Sequence, residues 1–193
     1  MKINVEIISK LNPCESRFTN FKKQYPNFDD SFTEFLKLEN ITYDDKVWVM
    51  VRLLSKNQLV HWSILCAESV LHIFENERPQ DKRVSEALTT LKSIPDFENM
   101  SDAERKAANS AATNAANAAN AATAATAAAY AANAATAAAY AANSAAAYAY
   151  AANSAANTAA AYAANAYAAN SAYADLEEQR NLNLLMLVSV VGE

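Results

Sequence analysis

Residues 121–150 read AATAATAAAYAANAATAAAYAANSAAAYAY. They lie inside a longer tract, from Ala103 to Ala174, in which 43 of 72 residues are Ala and nearly all the others are Asn, Thr, Ser or Tyr. Ala is the best intrinsic helix former because it loses no side-chain entropy and has no polar group that competes for the backbone. The tract therefore predicts an all-α fold, with a helical N-terminal half followed by a stack or bundle of Ala-rich helices.

The same tract repeats with a period of ten residues, in units that end at Tyr130, Tyr140 and Tyr150. One continuous helix over the whole tract would be about 110 Å long at a rise of about 1.5 Å per residue. That length exceeds a compact domain of this size, so we expect the tract to fold back on itself. The Asn-Ser pairs at 143–144 and 153–154 are the favoured corners, because Asn tolerates the left-handed conformation that a helix end requires.

The charge, glycine and cysteine counts exclude several classes of protein. The net charge of −5 argues against a protein that neutralises many phosphates of a nucleic acid. The single Gly, Gly192, leaves no glycine-rich loop for a phosphate. Cys14 and Cys66, without a signal peptide, predict the reducing cytoplasm and two buried thiols rather than a disulfide. No stretch predicts a transmembrane helix, so no membrane partner is expected.

Asn, Asp and Pro divide the first half of the chain into short helices. Residues 1–8 are expected to begin extended, and Pro26 is expected to end the first long helix. The predicted helix-starting residues, in chain order, are Asn12, Asp29 or Asp30, and Asp44 with Asp45.

The strongest amphipathic helix is predicted at Asn57–Glu77 and ends before Arg78 and Pro79. Its apolar residues share one broad face: Leu59, Trp62, Cys66, Val70, Ile73 and Phe74. A shorter helix is predicted at 81–93, and a capping box at 101–104 opens the Ala-rich tract. The Leu-rich segment 175–191 is expected to dock back onto the first half. The chain thus divides into an N-terminal helical module at 1–56 and a helical domain at 57–193.

Four polar residues form a stripe on the predicted 57–77 helix. His61, Glu68, His72 and Glu75 follow one another at spacings of seven, four and three. His and Glu four residues apart can chelate a metal such as zinc, but the chain has no other His to complete a site. We expect no metal and no cofactor, and a stripe that is solvated or faces a partner. Cys66 lies on the apolar face without a partnered base, so no catalytic residues are predicted.

The segment from Leu59 to Leu88 reads LVHWSILCAESVLHIFENERPQDKRVSEAL. It resembles the fifth immunity protein family described for bacterial polymorphic toxin systems. The positions that carry the resemblance are Trp62, Cys66-Ala67-Glu68, Val70-Leu71, Phe74-Glu75, Pro79, Asp81, Arg83 and Ala87. An Ala-rich helical tract and a Leu-rich end that includes Glu177, Glu178 and Gln179 follow, as in that family.

Two departures from the family pattern stand out. The family often has Pro and then a basic residue after the Arg, where this chain has Val84 and Ser85. Its Ala-rich tract usually carries Arg or His, and this tract carries neither after Arg105. If those charges contact a toxin, this chain recognises a different target or uses another surface.

The resemblance implies an immunity protein that binds a cognate toxin and neutralises it without catalysis. An acidic net charge suits a basic target such as a nuclease toxin. The candidate contact residues are His61, Glu68, His72, Glu75, Asp81 and Arg83. A competing interpretation has Glu68, Asp81 and Arg83 forming an internal ion pair or helix cap. A different class of function also stays open, a structural or self-assembling protein whose Ala-rich tract mediates oligomerisation.

Overall fold

The computed structural model describes residues 1–121 and 172–192, and these are mostly helical. The predicted all-α class is confirmed, apart from one small sheet of two short strands. The strands are β1 (Lys2–Asn4) and β2 (Asp29–Ser31). The helices are α1 (Val5–Lys10), α2 (Glu15–Gln24), α3 (Phe32–Leu36), α4 (Tyr43–Leu53), α5 (Lys56–Ser69), α6 (Leu71–Glu77), α7 (Arg83–Lys92), α8 (Asp102–Ala121) and α9 (Ala172–Val191). The predicted corners at 143–144 and 153–154, and the ten-residue units, lie outside the described residues.

The small sheet explains why the predicted helix start at Asp29 or Asp30 is wrong. β1 and β2 pair antiparallel, with Ile3 opposite Asp30 and Asn4 opposite Asp29. The prediction that Asp29 or Asp30 caps the following helix is therefore wrong, because both belong to a strand. The cap of α3 is Ser31, whose hydroxyl accepts a hydrogen bond of 3.2 Å from the backbone N–H of Glu34.

The predicted cap at Asn12 is also displaced. Asn12 adopts a left-handed φ of 58°, and α2 begins only after Cys14. Asn tolerates this backbone region better than most residues, so it suits the turn that follows α1. The helix does end before Pro26, as predicted. Thr42 caps α4, which puts Asp44 and Asp45 in its first turn, where carboxylates favour the helix dipole.

The two cysteines occupy different environments. Both are free, but Cys14 is exposed and Cys66 is buried, so the prediction of two buried thiols is half right. The pKa of Cys14 is lowered mainly by a hydrogen bond with the Ser16 hydroxyl. Hydrogen bonds from the backbone N–H groups of Arg17 and Ser16 lower it further. Burial raises the pKa of Cys66.

α5 is the central helix of the described fold. The predicted apolar face is buried at Leu59, Trp62 and Cys66, yet the other sides of α5 are covered too, at Val60, Ser63, Ile64 and Ala67. This follows from its position, because α5 packs against both α7 and α9. A helix that is enclosed on several sides has no fully solvent-exposed face. The amphipathic pattern therefore predicted less burial for α5 than the structure shows.

The prediction of one continuous helix at 57–77 is wrong, because the helix breaks at Val70. There φ is −111° and ψ is 1°, outside helical values, and α6 begins one residue later. The break follows Ser69, whose hydroxyl donates to the carbonyl of Cys66 and accepts from the side chain of Gln179 on α9. Ser side chains that bond to nearby backbone groups compete with regular helix geometry.

The described part of the Ala-rich tract packs as expected through small residues. Ser101 and Glu104 form the predicted capping box at its start, with Glu104 accepting from the Ser101 backbone N–H at 2.7 Å. α8 then lies along α7. Among residues 102–118 of this helix, the buried ones recur at helical spacing and are all Ala: Ala108, Ala111, Ala112, Ala115 and Ala118.

The C-terminal helix docks back onto the first half, as predicted, through α5 and α3. Leu184 and Leu187 are buried, whereas Leu182 and Leu185 are 40% and 66% exposed, so docking uses only part of the Leu-rich pattern. The apolar cluster that results runs along the described chain from Ile3 to Leu187. The predicted boundary at residue 56 stays a prediction. None of the described helices combines the length and apolarity needed to cross a bilayer.

Candidate functional site

The predicted contact residues lie on α5, α6 and the start of α7, and the position of α5 fixes the others. A capping box starts α5: the Gln58 backbone N–H donates to the Ser55 hydroxyl, and the Gln58 side chain accepts from the Ser55 backbone N–H. Asn57 then donates to Asp96 at 3.0 Å and accepts from the backbone N–H of Phe97 at 2.6 Å. These bonds attach the loop after α7 to the first turn of α5.

His61 is exposed on α5, beside that loop. Its ring meets the ring of Phe97 edge to face, with centroids 6.3 Å apart and an interplanar angle of 84°. Phe97 is itself buried. The imidazole therefore rests on a fixed apolar support while its other side stays open to solvent, which suits a contact with a partner.

Glu68 makes an ion pair that the sequence did not predict. Its carboxylate lies 2.8 Å from the ammonium of Lys92, at the end of α7. The competing interpretation had placed Glu68 with Asp81 and Arg83. The structure instead separates Glu68 from those two residues, but it does place Glu68 in a bridge between two packed helices, α5 and α7.

His72 and Glu75 lie on α6, beyond the break at Val70. The four residues therefore do not share one helix, and the predicted single stripe is wrong. His72 is exposed and Glu75 is half-buried. Across the part of the chain that the structure describes, no three His, Cys, Asp or Glu side chains are grouped closely enough to hold a metal ion.

Asp81 and Arg83 pair with each other at the start of α7. The guanidinium donates twice to the carboxylate, from Nε to Oδ1 at 2.9 Å and from Nη2 to Oδ2 at 2.6 Å. The backbone N–H of Arg83 also donates to Asp81 Oδ1, at 3.2 Å. The Arg83 side-chain hydrogen bond is the main cause that lowers the pKa of Asp81. The pair is thus an internal ion pair at the start of α7, which is one of the two forms that the competing interpretation gave for these residues, and Lys82 occupies the N-cap position.

The six predicted residues consequently divide by their surroundings. Asp81 and Arg83 are engaged with each other, and Glu68 with Lys92. His61 and His72 are exposed, and they leave most of their hydrogen-bonding capacity to solvent or a partner. Charged groups held in intramolecular pairs can still touch a partner at the rim of an interface, where such pairs contribute little affinity.

Sequence reasoning missed a buried polar network between α4, α5 and α9. The indole N–H of Trp62 donates to the backbone carbonyl of Asn183 at 2.9 Å. The Asn183 side chain accepts from Gln179 at 3.0 Å and donates to the Tyr43 hydroxyl at 3.3 Å. Burial raises the pKa of Tyr43.

The network satisfies polar groups that would otherwise be costly inside the core. Asn183 is fully buried and Gln179 is 8% exposed. The signal in the sequence was the occurrence of Gln and Asn at 179 and 183, four residues apart in a Leu-rich helix. Their partners could not be identified from that spacing, because Tyr43, Trp62 and Ser69 lie more than 100 positions away.

Comparison with known proteins gives one family match. The family described as "Imm-5 like putative immunity protein" matches residues 50–185, a range that includes α5, α6, α7 and all six predicted contact residues. Among curated proteins and among solved structures there is no significant match.

Proposed function

Because this chain belongs to the Imm-5 like family of immunity proteins, as the match over residues 50–185 shows, we propose that it binds a cognate bacterial toxin and neutralises it without catalysis. The family match is the observation that carries the proposal. Inhibition by binding requires a rigid surface of defined shape and charge rather than reactive groups. The toxin is thereby held in a complex whose population follows mass action.

The surface that we assign to this role is formed by α5, α6 and the start of α7. His61 and His72 are its exposed groups, and Glu75 on α6 is half-buried. The Phe97 support and the Asn57–Asp96 bonds hold the His61 side of the surface in place. Glu68, Asp81 and Arg83 position the helices through their ion pairs and form the rim of this surface.

The charge of the chain favours a basic target. The net charge is −5 over 193 residues, and such a chain attracts a basic protein and repels a nucleic acid. A toxin that acts on nucleic acid must itself carry a basic surface, and an acidic partner that covers this surface would block substrate entry. Electrostatic complementarity of this kind acts mainly on the association rate and on specificity.

Co-expression with candidate toxins from the native host, beginning with the product of the neighbouring gene, tests the proposal. We expect the wild-type protein to relieve the toxicity and to form a stable complex with the purified toxin. Failure of the wild-type protein to bind or protect would refute the proposal.

The surface itself is tested by the double variant His61→Ala/His72→Ala. Both residues are exposed, so we expect unchanged thermal stability together with weaker binding. The matched control is Glu34→Ala/Lys37→Ala, which removes an exposed ion pair from α3, and this variant should bind like the wild type. Equal affinities for the two double variants would exclude the α5–α6 surface while leaving the immunity function intact.

One observation favours self-association as a second candidate function. Leu182 and Leu185 lie on the same side of α9, three residues apart, and are 40% and 66% exposed. Exposed apolar side chains that lie together can bring two copies into contact. Sedimentation of the purified chain separates the two candidates: a monomer over a wide concentration range argues against assembly, and a concentration-dependent oligomer supports it.

A further inference from the structure

The break between α5 and α6 has a specific hydrogen-bond arrangement. In a regular helix the backbone N–H of Val70 would donate to the carbonyl of Cys66, four residues earlier. Here the hydroxyl of Ser69 donates to that carbonyl at 2.8 Å. The backbone N–H of Val70 donates instead to the carbonyl of Ala67, at 3.3 Å. The Ser69 side chain therefore takes the place of a backbone donor, and the helix does not continue through Val70.

Gln179 of α9 fixes the direction of this hydroxyl. Its side-chain nitrogen donates to the Ser69 oxygen at 2.9 Å. An amide nitrogen only donates, whereas a hydroxyl both accepts and donates a proton, so the proton of Ser69 is left for the carbonyl of Cys66. The same nitrogen of Gln179 donates to the side-chain oxygen of Asn183 at 3.0 Å. Both protons of this buried amide are thus used inside the protein, and α9 determines which way the Ser69 hydroxyl points.

A second serine shows that such a hydroxyl bond alone does not break a helix in this chain. Ser189 on α9 donates to the carbonyl of Met186, three residues earlier, at 2.8 Å. This is the same spacing as at the break, yet α9 continues past Ser189. Ser189 is exposed, and within residues 1–121 and 172–192 no side chain donates to its oxygen. The bond from Gln179, which Ser69 has and Ser189 lacks, therefore distinguishes the broken helix from the continuous one.

The break decides where part of the α5–α6 surface lies. His72 and Glu75 follow Val70 by two and five residues, on a helix that also carries the fully buried Phe74. His61 lies before the break, on α5. Because φ and ψ of Val70 set the direction in which α6 leaves α5, a change at this residue would move both surface residues of α6 relative to His61.

We propose that Gln179 and Ser69 are positioning residues of the α5–α6 surface. The hydrogen bond between them holds the break at Val70, and it thereby sets where the two surface residues of α6 lie relative to His61. This inference rests on the immunity function proposed above. Gln179 is buried and Ser69 is half-buried, so the C-terminal helix acts on the surface through this bond rather than by touching the toxin.

The change Ser69→Ala tests the role of the bond in the free protein. It frees the carbonyl of Cys66 for the backbone N–H of Val70, and Ala favours the helix. We expect the Cα chemical shift of Val70 to move towards the helical value and its amide proton to exchange more slowly. Gln179→Leu, which removes the donor but keeps the hydroxyl, should move the Val70 shift in the same direction.

Two further variants serve as controls for this measurement. Ser69→Thr keeps the hydroxyl and should retain the wild-type shift of Val70. Ser189→Ala is the matched control, because it removes a hydroxyl bond of the same spacing from a helix that is continuous there. It should leave the backbone shifts around position 189 helical, as they are in the wild type.

Affinity for a toxin gives a readout that a purely structural role would not produce. A toxin from the native host that binds the wild type in the co-expression test is used in purified, inactivated form, with calorimetry on the full-length chain. We expect Ser69→Ala to weaken binding about threefold or more. In the His72→Ala/Glu75→Ala background it should change affinity by less than about twofold, whereas in the His61→Ala background its effect should remain in full.

Four outcomes would overturn the inference. An unchanged Val70 shift in Ser69→Ala would mean that the bond does not hold the break. Equal losses of affinity in both backgrounds would mean that the change acts on the fold as a whole rather than through α6. Unchanged affinity of Ser69→Ala for a toxin that the wild type binds would remove the positioning role and leave the immunity function standing. A wild-type protein that binds no candidate toxin would overturn both the function and the inference.

Discussion

The buried network around Asn183 should contribute several times more stability than any exposed polar residue of α9. The change Asn183→Ala removes a 3.0 Å hydrogen bond from Gln179 and a 3.3 Å hydrogen bond to the Tyr43 hydroxyl. Gln179 keeps a second partner, the hydroxyl of Ser69 at 2.9 Å. The bond from Trp62 is to the Asn183 backbone and is retained.

The magnitude follows from these contacts. Each lost hydrogen bond costs about 0.5–1.5 kcal/mol, and a buried hydroxyl left without that partner adds about 1–3 kcal/mol. The higher helix propensity of Ala returns about 0.5 kcal/mol. We therefore expect Asn183→Ala to lower the free energy of unfolding by about 2–4 kcal/mol, which is a large fraction of the stability of an ordinary domain.

Urea unfolding followed by far-UV circular dichroism measures this loss. The matched control is Asn181→Ala, on the same helix two residues away, where the side chain is exposed. We expect that control to change the free energy of unfolding by less than about 0.5 kcal/mol. Equal effects of the two variants, or a loss below about 0.5 kcal/mol for Asn183→Ala, would refute the reasoning that the network holds α9 in place.

Four further predictions concern the cap of α8, an acidic turn, the thiols and the exposed leucines. Glu104→Ala removes half of the capping box and should lower the urea concentration at the midpoint of unfolding; no loss would contradict the cap. Hydrogen bonds from Asn side chains and a backbone N–H lower the pKa of Asp96 to about 2. Its stabilising effect should therefore be present above about pH 4 and be lost as the pH falls towards 2. Melting temperatures measured across this pH range should fall for the wild type, and Asp96→Asn should lack the part of this fall that Asp96 causes. A thiol reagent should modify Cys14 quickly and Cys66 only after unfolding, as mass spectrometry can follow. Leu185→Gln should leave the melting temperature unchanged and reduce any self-association seen in sedimentation, because Leu185 is 66% exposed.

Local signals in the sequence were reliable where the structure depends on neighbours a few residues apart. The capping box at Ser101 and Glu104 is such a case, because both hydrogen bonds join residues three positions apart. The start of α4 near Asp44 and the end of α2 before Pro26 are others. The Asp81–Arg83 pair is local as well, and one of the two sequence interpretations anticipated an internal ion pair for these residues, together with Glu68.

Local signals failed where a distant residue decides the backbone. Asp29 and Asp30 have the composition of a helix cap, but pairing with residues 3 and 4 of the chain makes them a strand. The break at Val70 contains neither Gly nor Pro, and Ser69 beside it is bonded to Gln179, 110 positions away. Likewise, Glu68 forms an ion pair with Lys92 rather than with Arg83. The reason is that α7 packs against α5 with the last turn of α7 near the Glu68 carboxylate.

The sequence by itself determined the helical class, most helix ends and the packing of α8 through small residues, because capping and helix propensity depend on residues within one or two turns of each other. Family membership, too, was readable from about thirty residues around Trp62, and the match over 50–185 bears it out. Only the tertiary structure decided that α5 is enclosed by α7 and α9, and that Asn183 completes the bonds of Trp62 and Tyr43. It also decided that the side chain of Lys46 on α4 is largely buried. The physical reason is that burial and charge pairing depend on which surfaces meet in space, and a linear pattern does not contain that information.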